Sequence, residues 1–352
     1  MSLDDERNRL QDSLPRIGVT DVAKLAGCAP ATVSRVLNNP EKVSTDKRER
    51  VESAMKVLGY VRNHAARALR SQRSHMMGIL IPTLDYAIYA SLVGAATRRL
   101  SAAGISALVA TFDYDLRTEF NEARLLVERG AEALILIGQK HDAALYDLLH
   151  RQDVYFVNTY TLDPAGENPS IGFDNEVATA AIVRHLVHLG HRNICVISGP
   201  TRDNDRTTSR LAGIRQELSR NDIELEPERV LECSYSITNG RSACATLLAR
   251  IHPQPTAFIC GNDVLALGAL VECRERGLRV PEDVSIVGFD NLELSQHSNP
   301  PLTTVDVPTE RMGDSAASYL LDRFERKLVP RQISLEVRLI LRQTTAPAPR
   351  RD

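Results

Sequence analysis

The fold of the N-terminal part is decided by residues 20–39, which read TDVAKLAGCAPATVSRVLNN. Two short helical patterns flank the turn Gly27-Cys28-Ala29, and Pro30 opens the second helix, where a missing N–H costs no intrahelical bond. Apolar residues recur at the spacing of buried helix faces: Val22, Ala23 and Ala26 in the first helix, and Val33, Val36 and Leu37 in the second. The stretch predicts a helix-turn-helix.

The outward face of the second helix carries small groups and one guanidinium: Ala31, Thr32, Ser34, Arg35 and Asn38. Such a face fits the major groove of DNA, where it can pair with base edges and phosphates. A helical hairpin with a merely solvated face is the alternative, and this stretch alone does not separate the two.

A third helix and a basic segment follow. Ser44 is placed to cap a helix with the apolar stripe Val51, Ala54, Met55 and Leu58, and Gly59 is placed to end it. Residues 60–70, YVRNHAARALR, form an alanine-rich, basic helical pattern that is too short and too polar to fold alone.

The succession DVAKLAG, PATVSRVLN, VSTDKRERV, LGY and N-x-A-A-R-x-L resembles the headpiece and hinge of the LacI/GalR (lactose-repressor) family of transcription regulators, and the resemblance extends to about residue 345. It implies an α/β protein with a helix-turn-helix headpiece and a hinge helix. Two doubly wound parallel-sheet subdomains of periplasmic-binding-protein type would follow.

Carried over position by position, the resemblance implies contacts of the second helix with bases and phosphates, and of the hinge with the minor groove, where Leu69 would wedge between base pairs. The DNA-binding candidates are Thr20, Pro30, Ala31, Thr32, Ser34, Arg35, Asn38, Asn63, Ala66, Arg67 and Leu69. Two positions depart from the family pattern. Gly18 replaces a capping Thr, so that Thr20 is expected to cap the first helix, and Ala29 replaces a Ser.

Charge is distributed unevenly along the chain. The net charge of −2 over 352 residues includes 11 Lys/Arg against 5 Asp/Glu in residues 17–73, a local charge of +6. A basic head on an acidic body confines phosphate attraction to one end.

The six cysteines show no metal-binding spacing and several lie in apolar runs, so we expect reduced core residues. No run reaches the roughly 18 apolar residues of a membrane span, and the first residues are charged rather than signal-like. These features predict a cytoplasmic protein.

From residue 77 onward, β-branched strand patterns alternate with amphipathic helices, which indicates parallel strands buried on both faces. The expected division is a disordered N-terminus (1–16), a headpiece (17–62), a hinge helix (63–73), an effector-binding and dimerisation core (74–345) and a disordered tail (346–352). Within the core we expect a first subdomain of about 74–174 plus 305–330, and a second of about 175–304 plus 331–345, with a final strand over 333–341 returning to the second.

Ligands of such sheets bind beyond the carboxyl ends of the strands. The resemblance places Arg210, Asn262 and Asp290 there as polar contacts and Tyr235 as a stacking aromatic. Asp174, in the first of two Gly-Phe-Asp-Asn repeats, and Asp263 are expected to cap helices instead. The remaining effector-site candidates follow strands of the first subdomain: Asp85, Tyr86, Tyr89, Asp113 and Gln139.

Asp85 and Tyr86 replace small polar and proline residues of the family pattern, so a standard hexose fit is not expected. An Arg beside an Asp suits a polyol, because the carboxylate accepts from hydroxyls while the guanidinium donates to their oxygens. We therefore expect a neutral, hydroxylated effector, with an organic acid or a nucleoside as the alternative.

Other classes of protein are less well supported. The chain has no phosphate-binding G-x-x-x-x-G-K-[ST], no G-x-S-x-G elbow and no paired-histidine metal spacing, so we expect neither an enzyme nor a cofactor or metal. The sequence predicts a ligand-responsive regulator, most simply a repressor, bound to a palindromic operator as a homodimer. The alternative is a small-molecule binding protein of the same core fold without a regulatory role.

Leu69 provides a test of the hinge assignment. Replacing it with Ala should weaken specific operator binding by a few kcal/mol, the scale of base unstacking that a wedge supports. Salt-dependent binding to random DNA through Arg35, Arg67 and Arg70 should change little. Titrations of both DNAs check this, and an equal loss on both would mean that the segment is a plain linker.

Overall fold

The structure, a computed structural model, describes residues 17–61 and 73–350. By its internal contacts the chain divides into two compact units, Met1–Arg73 and Ser74–Asp352. The hinge candidates Asn63, Ala66, Arg67 and Leu69 lie outside the described residues. In the part of the chain that the structure describes, no helix has both the length and the apolarity needed to span a bilayer.

The N-terminal unit confirms the expected helix-turn-helix. Helices α1 (Val19–Ala26), α2 (Pro30–Asn38) and α3 (Thr45–Leu58) enclose a small apolar core. Its buried members are Val22, Ala23, Ala26, Val33, Val36, Val51 and Ala54. These are the positions that the helical spacing predicted, with Leu37, Met55 and Leu58 half-buried at the edge of the core.

The start of α1 differs from the expectation. The N-cap position is Gly18, and Thr20 lies inside the first helical turn. Because glycine has no side chain to accept from the first turn, Asp21 supplies the local bond, and its Oδ2 accepts from the Gly18 backbone N–H at 2.8 Å. The assignment of Thr20 as the cap was therefore wrong.

Arg50 of α3 fixes the turn between α1 and α2. Its Nη2 donates to the carbonyl oxygens of Ala26 at 2.6 Å and Gly27 at 3.1 Å. These carbonyls lie at the end of α1, where backbone acceptors have no intrahelical partner. Gly27 has a left-handed φ of 62°, and an added Cβ there would lie 2.8 Å from Arg50 Nη2. The sequence pattern did not reveal this contact.

The C-terminal unit contains two parallel sheets. The first has the order β11-β5-β4-β3-β1-β2 and the second the order β7-β6-β8-β9, as expected of two doubly wound subdomains. The strands of the first sheet are β1 (Met76–Ile81), β2 (Ser106–Thr111), β3 (Ala133–Ile137), β4 (Tyr155–Thr159), β5 (Ser170–Gly172) and β11 (Gln332–Ser334). The second sheet consists of β6 (Ile194–Ser198), β7 (Val230–Glu232), β8 (Ala257–Cys260) and β9 (Ser285–Val287).

Helices cover both sheets. Those of the first subdomain are α4 (Ala87–Ala102), α5 (Leu116–Glu128), α6 (Ala143–Arg151) and α12 (Thr309–Phe324). Those of the second are α7 (Asn175–His188), α8 (Asp205–Ser219), α9 (Ile237–Arg250), α10 (Asp263–Glu275) and α11 (Glu293–His297). The central strands β3 and β6 are buried over their whole length, which explains their continuous apolar sequence.

The C-terminal segment does not follow the expected course. Instead of one strand over 333–341 returning to the second subdomain, β11 pairs in parallel with β5 of the first sheet. Strand β12 (Arg338–Ile340) then pairs antiparallel with β10 (Thr304–Asp306). The free edge of β5 explains this division, because Leu335 N continues the ladder to Gly172 O at 2.7 Å. No Gly or Pro separates the two strands in the sequence, so they read as one.

The tail from residue 346, which was expected to be disordered, forms backbone hydrogen bonds at Ala346 and Ala348. Ala346 N donates to Ser285 Oγ at 3.1 Å, and Ala348 N donates to Leu189 O at 2.8 Å. The ring Nε2 of buried His191 lies 3.0 Å from Ala346 O. These backbone bonds are not visible in the Pro- and Ala-rich composition that suggested disorder.

The Arg50 contact gives a prediction for the headpiece. Arg50→Met should cost about 1–2 kcal/mol, because the terminal carbonyls of α1 lose a charged donor. Amide exchange in α1 should then accelerate roughly 5- to 30-fold. The control is Lys47→Met in the exposed first turn of α3. Unchanged exchange in Arg50→Met would contradict the assigned role.

Candidate functional site

A small cavity lies between the two subdomains of the C-terminal unit, beyond the carboxyl ends of the strands. The lining residues follow β1, β2, β4, β6, β7, β8 and β9, the position that parallel sheets offer to ligands. They are Tyr86, Ile88, Tyr89, Tyr114, Tyr160, Asn204, Arg206, Thr207, Arg210, Tyr235, Asn262 and Asp290. The space left for a water-sized sphere is about 20 Å³, so the cleft is closed.

Arg210 is the buried cation of the second subdomain's wall. Its Cζ lies 3.8 Å from the centroid of the Phe289 ring, its Nε donates to Asn175 Oδ1 at 2.9 Å, and one terminal nitrogen donates to Gly261 O at 3.0 Å. Stacking and two directed bonds fix the plane of the guanidinium. The second terminal nitrogen, Nη2, remains for a group in the cleft.

Asp290 is the acceptor beside this cation. The residue is 5% exposed, has a φ of 114° and leaves its buried Oδ1 without a hydrogen bond among the described residues. Burial raises the pKa of Asp290 to about 8, an effect that nearby Arg210 reduces and Asp263 increases. A positive φ and a buried oxygen without a partner are features that recur at ligand-binding positions.

Asn262 and Asp263 exchange the roles expected of them. Asn262 is the N-cap of α10, with Oδ1 accepting from Leu265 N at 2.9 Å, so its amide nitrogen is the group left for the cleft. Asp263 is not the cap. Its carboxylate accepts from Leu292 N, Ser295 Oγ and Thr304 Oγ1 and so holds the segment after Asp290. Asp174 does cap α7, as expected.

Five tyrosines form the aromatic part of the cavity. Tyr86 of the first subdomain meets Tyr235 of the second edge to face, with ring centroids 5.4 Å apart. Tyr89 and Tyr114 share a hydrogen bond of 3.1 Å, and Tyr160 Oη donates to Ile88 O. Burial raises the pKa of Tyr86 to about 12, so its hydroxyl is a neutral donor at the mouth of the cleft.

Tyr235 owes its position to a glycine. An added Cβ at Gly199, just after β6, would lie 2.0 Å from Tyr235 Oη. The same hydroxyl lies 2.8 Å from Thr207 Oγ1, so its hydrogen bond within the second subdomain is already made.

Arg206 and Asp205 join the two subdomains beside the cavity. Arg206 pairs with Asp205 at 2.6 Å and donates to Ile137 O of the first subdomain at 3.2 Å. Asp205 in turn accepts from the Gln139 backbone N–H at 2.9 Å. Burial disfavours the charge of Arg206, but Asp205 keeps the pKa above its usual range. This cation is neutralised within the protein.

The structure brings six of the predicted effector residues together: Tyr86, Tyr89, Arg210, Tyr235, Asn262 and Asp290. It does not bring Asp85, Asp113 or Gln139 into the lining. Asp85 and Asp113 are exposed in the segments after β1 and β2, and Gln139 contacts Asp205 instead. Following a strand end places a residue at the correct edge of the sheet but does not set its direction.

Sequence reasoning missed Arg206, Thr207, Tyr114 and Tyr160 as lining residues. Arg206 and Arg210 are four residues apart on α8 and therefore share a helix face, which was a usable signal. Tyr114 is next to the predicted Asp113. Tyr160 directly follows β4, so the strand-end position that pointed to Tyr86 could also have pointed to Tyr160.

The outward face of α2 is available for a large partner. Pro30, Ala31 and Arg35 are exposed, and Thr32 and Ser34 are half-buried. Asn38 is exposed too, and its amide nitrogen donates to Ser34 O at 2.6 Å. The side chains near the N-terminus of α2 are small, which allows the helix backbone to come close to the floor of a DNA groove.

Family models agree with this geometry. Residues 19–63 match the bacterial regulatory proteins of the lacI family, and residues 183–345 match a periplasmic binding protein-like domain. The regulator MalR of Streptomyces coelicolor is 33% identical over 94% of this chain and 97% of its own. The chain belongs to the LacI family.

Two further members extend the comparison. The repressor CytR of Escherichia coli is 31% identical over 94% of this chain and 96% of its own. A lac repressor dimer solved with operator and the anti-inducer ONPF is 30% identical, with a TM-score of 0.83 over 94% of this chain and 100% of that one. As a LacI-family member, the protein is a ligand-responsive, DNA-binding regulator of transcription with a helix-turn-helix head and a periplasmic-binding-protein-like body.

The raised pKa of Asp290 predicts a pH dependence of stability. Because the folded state keeps a proton up to about pH 8 that the unfolded state releases near pH 4, stability should fall as pH rises through this window. Burial also raises the pKa of Asp263 to about 6, so Asp263 contributes a further fall in stability in the lower part of this pH window. Asp290→Asn should therefore remove the decline between pH 6 and 8.

Thermal melting from pH 5 to 8.5 checks this, with the exposed cap variant Asp174→Asn as control. At pH 8 Asp290→Asn should be about 1–3 kcal/mol more stable than the parent, since residue 290 then has no charge to bury. Parallel profiles of Asp290→Asn and the parent above pH 6 would show that Asp290 is ionised in the folded state.

Proposed function

We propose that the protein is a repressor that binds a palindromic operator as a homodimer and responds to a neutral, hydroxylated effector in the cleft. The observation that carries the effector class is the unpartnered Oδ1 of buried Asp290 beside the guanidinium of Arg210. Asp290 Oδ1 accepts a hydrogen bond from a ligand hydroxyl, and the Arg210 guanidinium donates to the oxygen of that hydroxyl. Among related structures, the transcriptional regulator CelR is in complex with cellobiose, and the lac repressor dimer is bound to operator and the anti-inducer ONPF.

The hydrogen-bonding groups of the cavity support a hydroxylated ligand. Arg206 is neutralised by Asp205, and Arg210 has lost two of its donor directions to Asn175 and Gly261. A hydroxyl can use both groups, because its oxygen accepts from the remaining Nη2 of Arg210 while its hydrogen is donated to Oδ1 of Asp290, which is a neutral carboxylic acid below about pH 8. Asp85 contributes nothing here, because its side chain is exposed outside the lining.

The proposed division of labour follows the two units. The headpiece, with Arg35 and the small residues of α2, would read the major groove, and the hinge residues Ala66 and Leu69 would enter the minor groove. The body would bind the effector, without catalysing a reaction on it, and would work in the cytoplasm together with the DNA. Ligand would act through its different affinity for the DNA-competent and DNA-incompetent states.

A melting screen of the full chain tests the effector class. Its three arms are neutral sugars and polyols, organic acids, and nucleosides, each added at millimolar concentration. We expect saturable stabilisation from the first arm. Stabilisation by acids alone would overturn the assignment of a neutral ligand.

Arg210 connects the screen to regulation. Arg210→Ala should abolish the response of operator binding to the stabilising compound while leaving operator affinity within about threefold, because the headpiece is unchanged. Electrophoretic mobility shifts with and without the compound measure both. Arg215→Ala, on an exposed face of the same helix, is the control.

If Arg210→Ala melts far below the parent, Arg210→Lys keeps the charge but loses the fork and should still lose the response. A normal response in a folded Arg210 variant would place the effector site elsewhere.

A further inference from the structure

A second, larger cavity lies on the first subdomain, at the amino ends of its strands, whereas the cleft lies beyond their carboxyl ends. It holds about 390 Å³ and shares no lining residue with the cleft. Its walls come from the end of α6, the start of β4, the segment before β5, the last turn of α12 and the segment before β11. The cavity is not part of the proposed effector site, and its volume is in the range of small-molecule sites.

Two guanidiniums face this second cavity. Arg323 lies over the ring of Tyr155, with its Cζ 5.2 Å from the ring centroid. Arg331 is anchored at its base, where one nitrogen donates to the carbonyl oxygens of Gly166 at 3.2 Å and Glu167 at 3.4 Å. Each cation is thus oriented by an aromatic face or by backbone acceptors rather than by a carboxylate.

The two cations act on the same buried group. Burial raises the pKa of the Tyr319 phenol, and Arg323 and Arg331 both act to lower it, so both positive charges lie near this hydroxyl. Neither forms an ion pair with a carboxylate among residues 17–61 and 73–350. Asp153 and Glu167 do line the cavity, but both are exposed at its rim.

Arg323 and Arg331 line one cavity, and neither is bonded to a carboxylate within the described residues, so both keep donor nitrogens for a bound oxyanion. Part of the remaining lining is flat and apolar, because Tyr155 and Phe156 face the cavity together with Leu149, Val154 and Val329, while His150, Asn168 and Pro169 complete it. Tyr155 is itself held from the side by Phe324, at a centroid distance of 5.2 Å. An anion that also carries a ring-sized apolar part would use both kinds of surface.

We propose that this second cavity binds a small organic oxyanion, a carboxylate or a phosphate ester on a flat apolar body, between Arg323 and Arg331. The oxyanion accepts from the two guanidiniums and from the Tyr319 hydroxyl, while the apolar body lies against Tyr155 and Phe156. The site shares no lining residue with the cleft, so binding there does not rest on the effector proposed above.

Calorimetric titration of the full chain tests this with four probes: phenyl phosphate, benzoate, benzyl alcohol and inorganic phosphate. Phenyl phosphate or benzoate should bind saturably, and the better of the two identifies the oxyanion. Benzyl alcohol should not bind, and inorganic phosphate should bind at least 10-fold more weakly than phenyl phosphate. Equal affinity of inorganic and phenyl phosphate would mean an adventitious ion only and would overturn the proposal.

Two variants locate the binding. Arg323→Gln/Arg331→Gln should weaken the better probe at least 10-fold, whereas Arg326→Gln, an exposed neighbour outside the lining, should leave it within twofold. If the double variant melts early, the single variant Arg331→Gln on the exposed side serves the same purpose. Unchanged affinity in a folded Arg331 or double variant, or no saturable binding of either aromatic anion to the parent, would refute the site.

Discussion

The buried guanidinium of Arg210 is the constraint on which the effector cleft depends. It lies on Phe289, bonds to Asn175 at the start of α7 and bonds to the Gly261 carbonyl after β8. Asn175 links Arg210 to the first subdomain, because its amide nitrogen donates to Tyr160 O there at 2.9 Å. One cation therefore orders four segments of the cavity wall, and its burial is tolerated only because these partners are in place.

The closed state of the cleft follows from contacts between its own walls. Tyr86 meets Tyr235, and Arg206 reaches the Ile137 carbonyl, so the subdomains touch directly across the mouth. A ligand larger than a water or two must part these groups, and its binding is then coupled to the relative pose of the subdomains. In the proposed effector site, the strained Asp290 with its unbonded Oδ1 would accept from the ligand that parts these groups.

Much of this could be read from the sequence, and the failures have physical causes. Helical periodicity gave the headpiece core, and β-branched runs gave the main strands of both sheets. The family motifs correctly predicted that Arg210, Tyr235, Asn262 and Asp290 line the cavity. The pairing partners of β11 and β12 could not be predicted from the sequence. An edge strand pairs with any neighbouring strand that has free backbone N–H and C=O groups. Asp85 and Asp113 failed because a strand end sets a position but not a side-chain direction. The contact of Arg50 with the end of α1 and the paired role of Arg206 depend on tertiary placement, which local patterns do not encode.

The central claim is that Asp290 and Arg210 form the polar floor of an effector site that the tyrosines close. A crystal structure of the protein with the compound that stabilises it most tests this directly. The account predicts a ligand hydroxyl within hydrogen-bond distance of Asp290 Oδ1 and of Arg210, with the Tyr86 and Tyr235 rings parted around it. A ligand bound elsewhere, with the two rings still in contact, would contradict it.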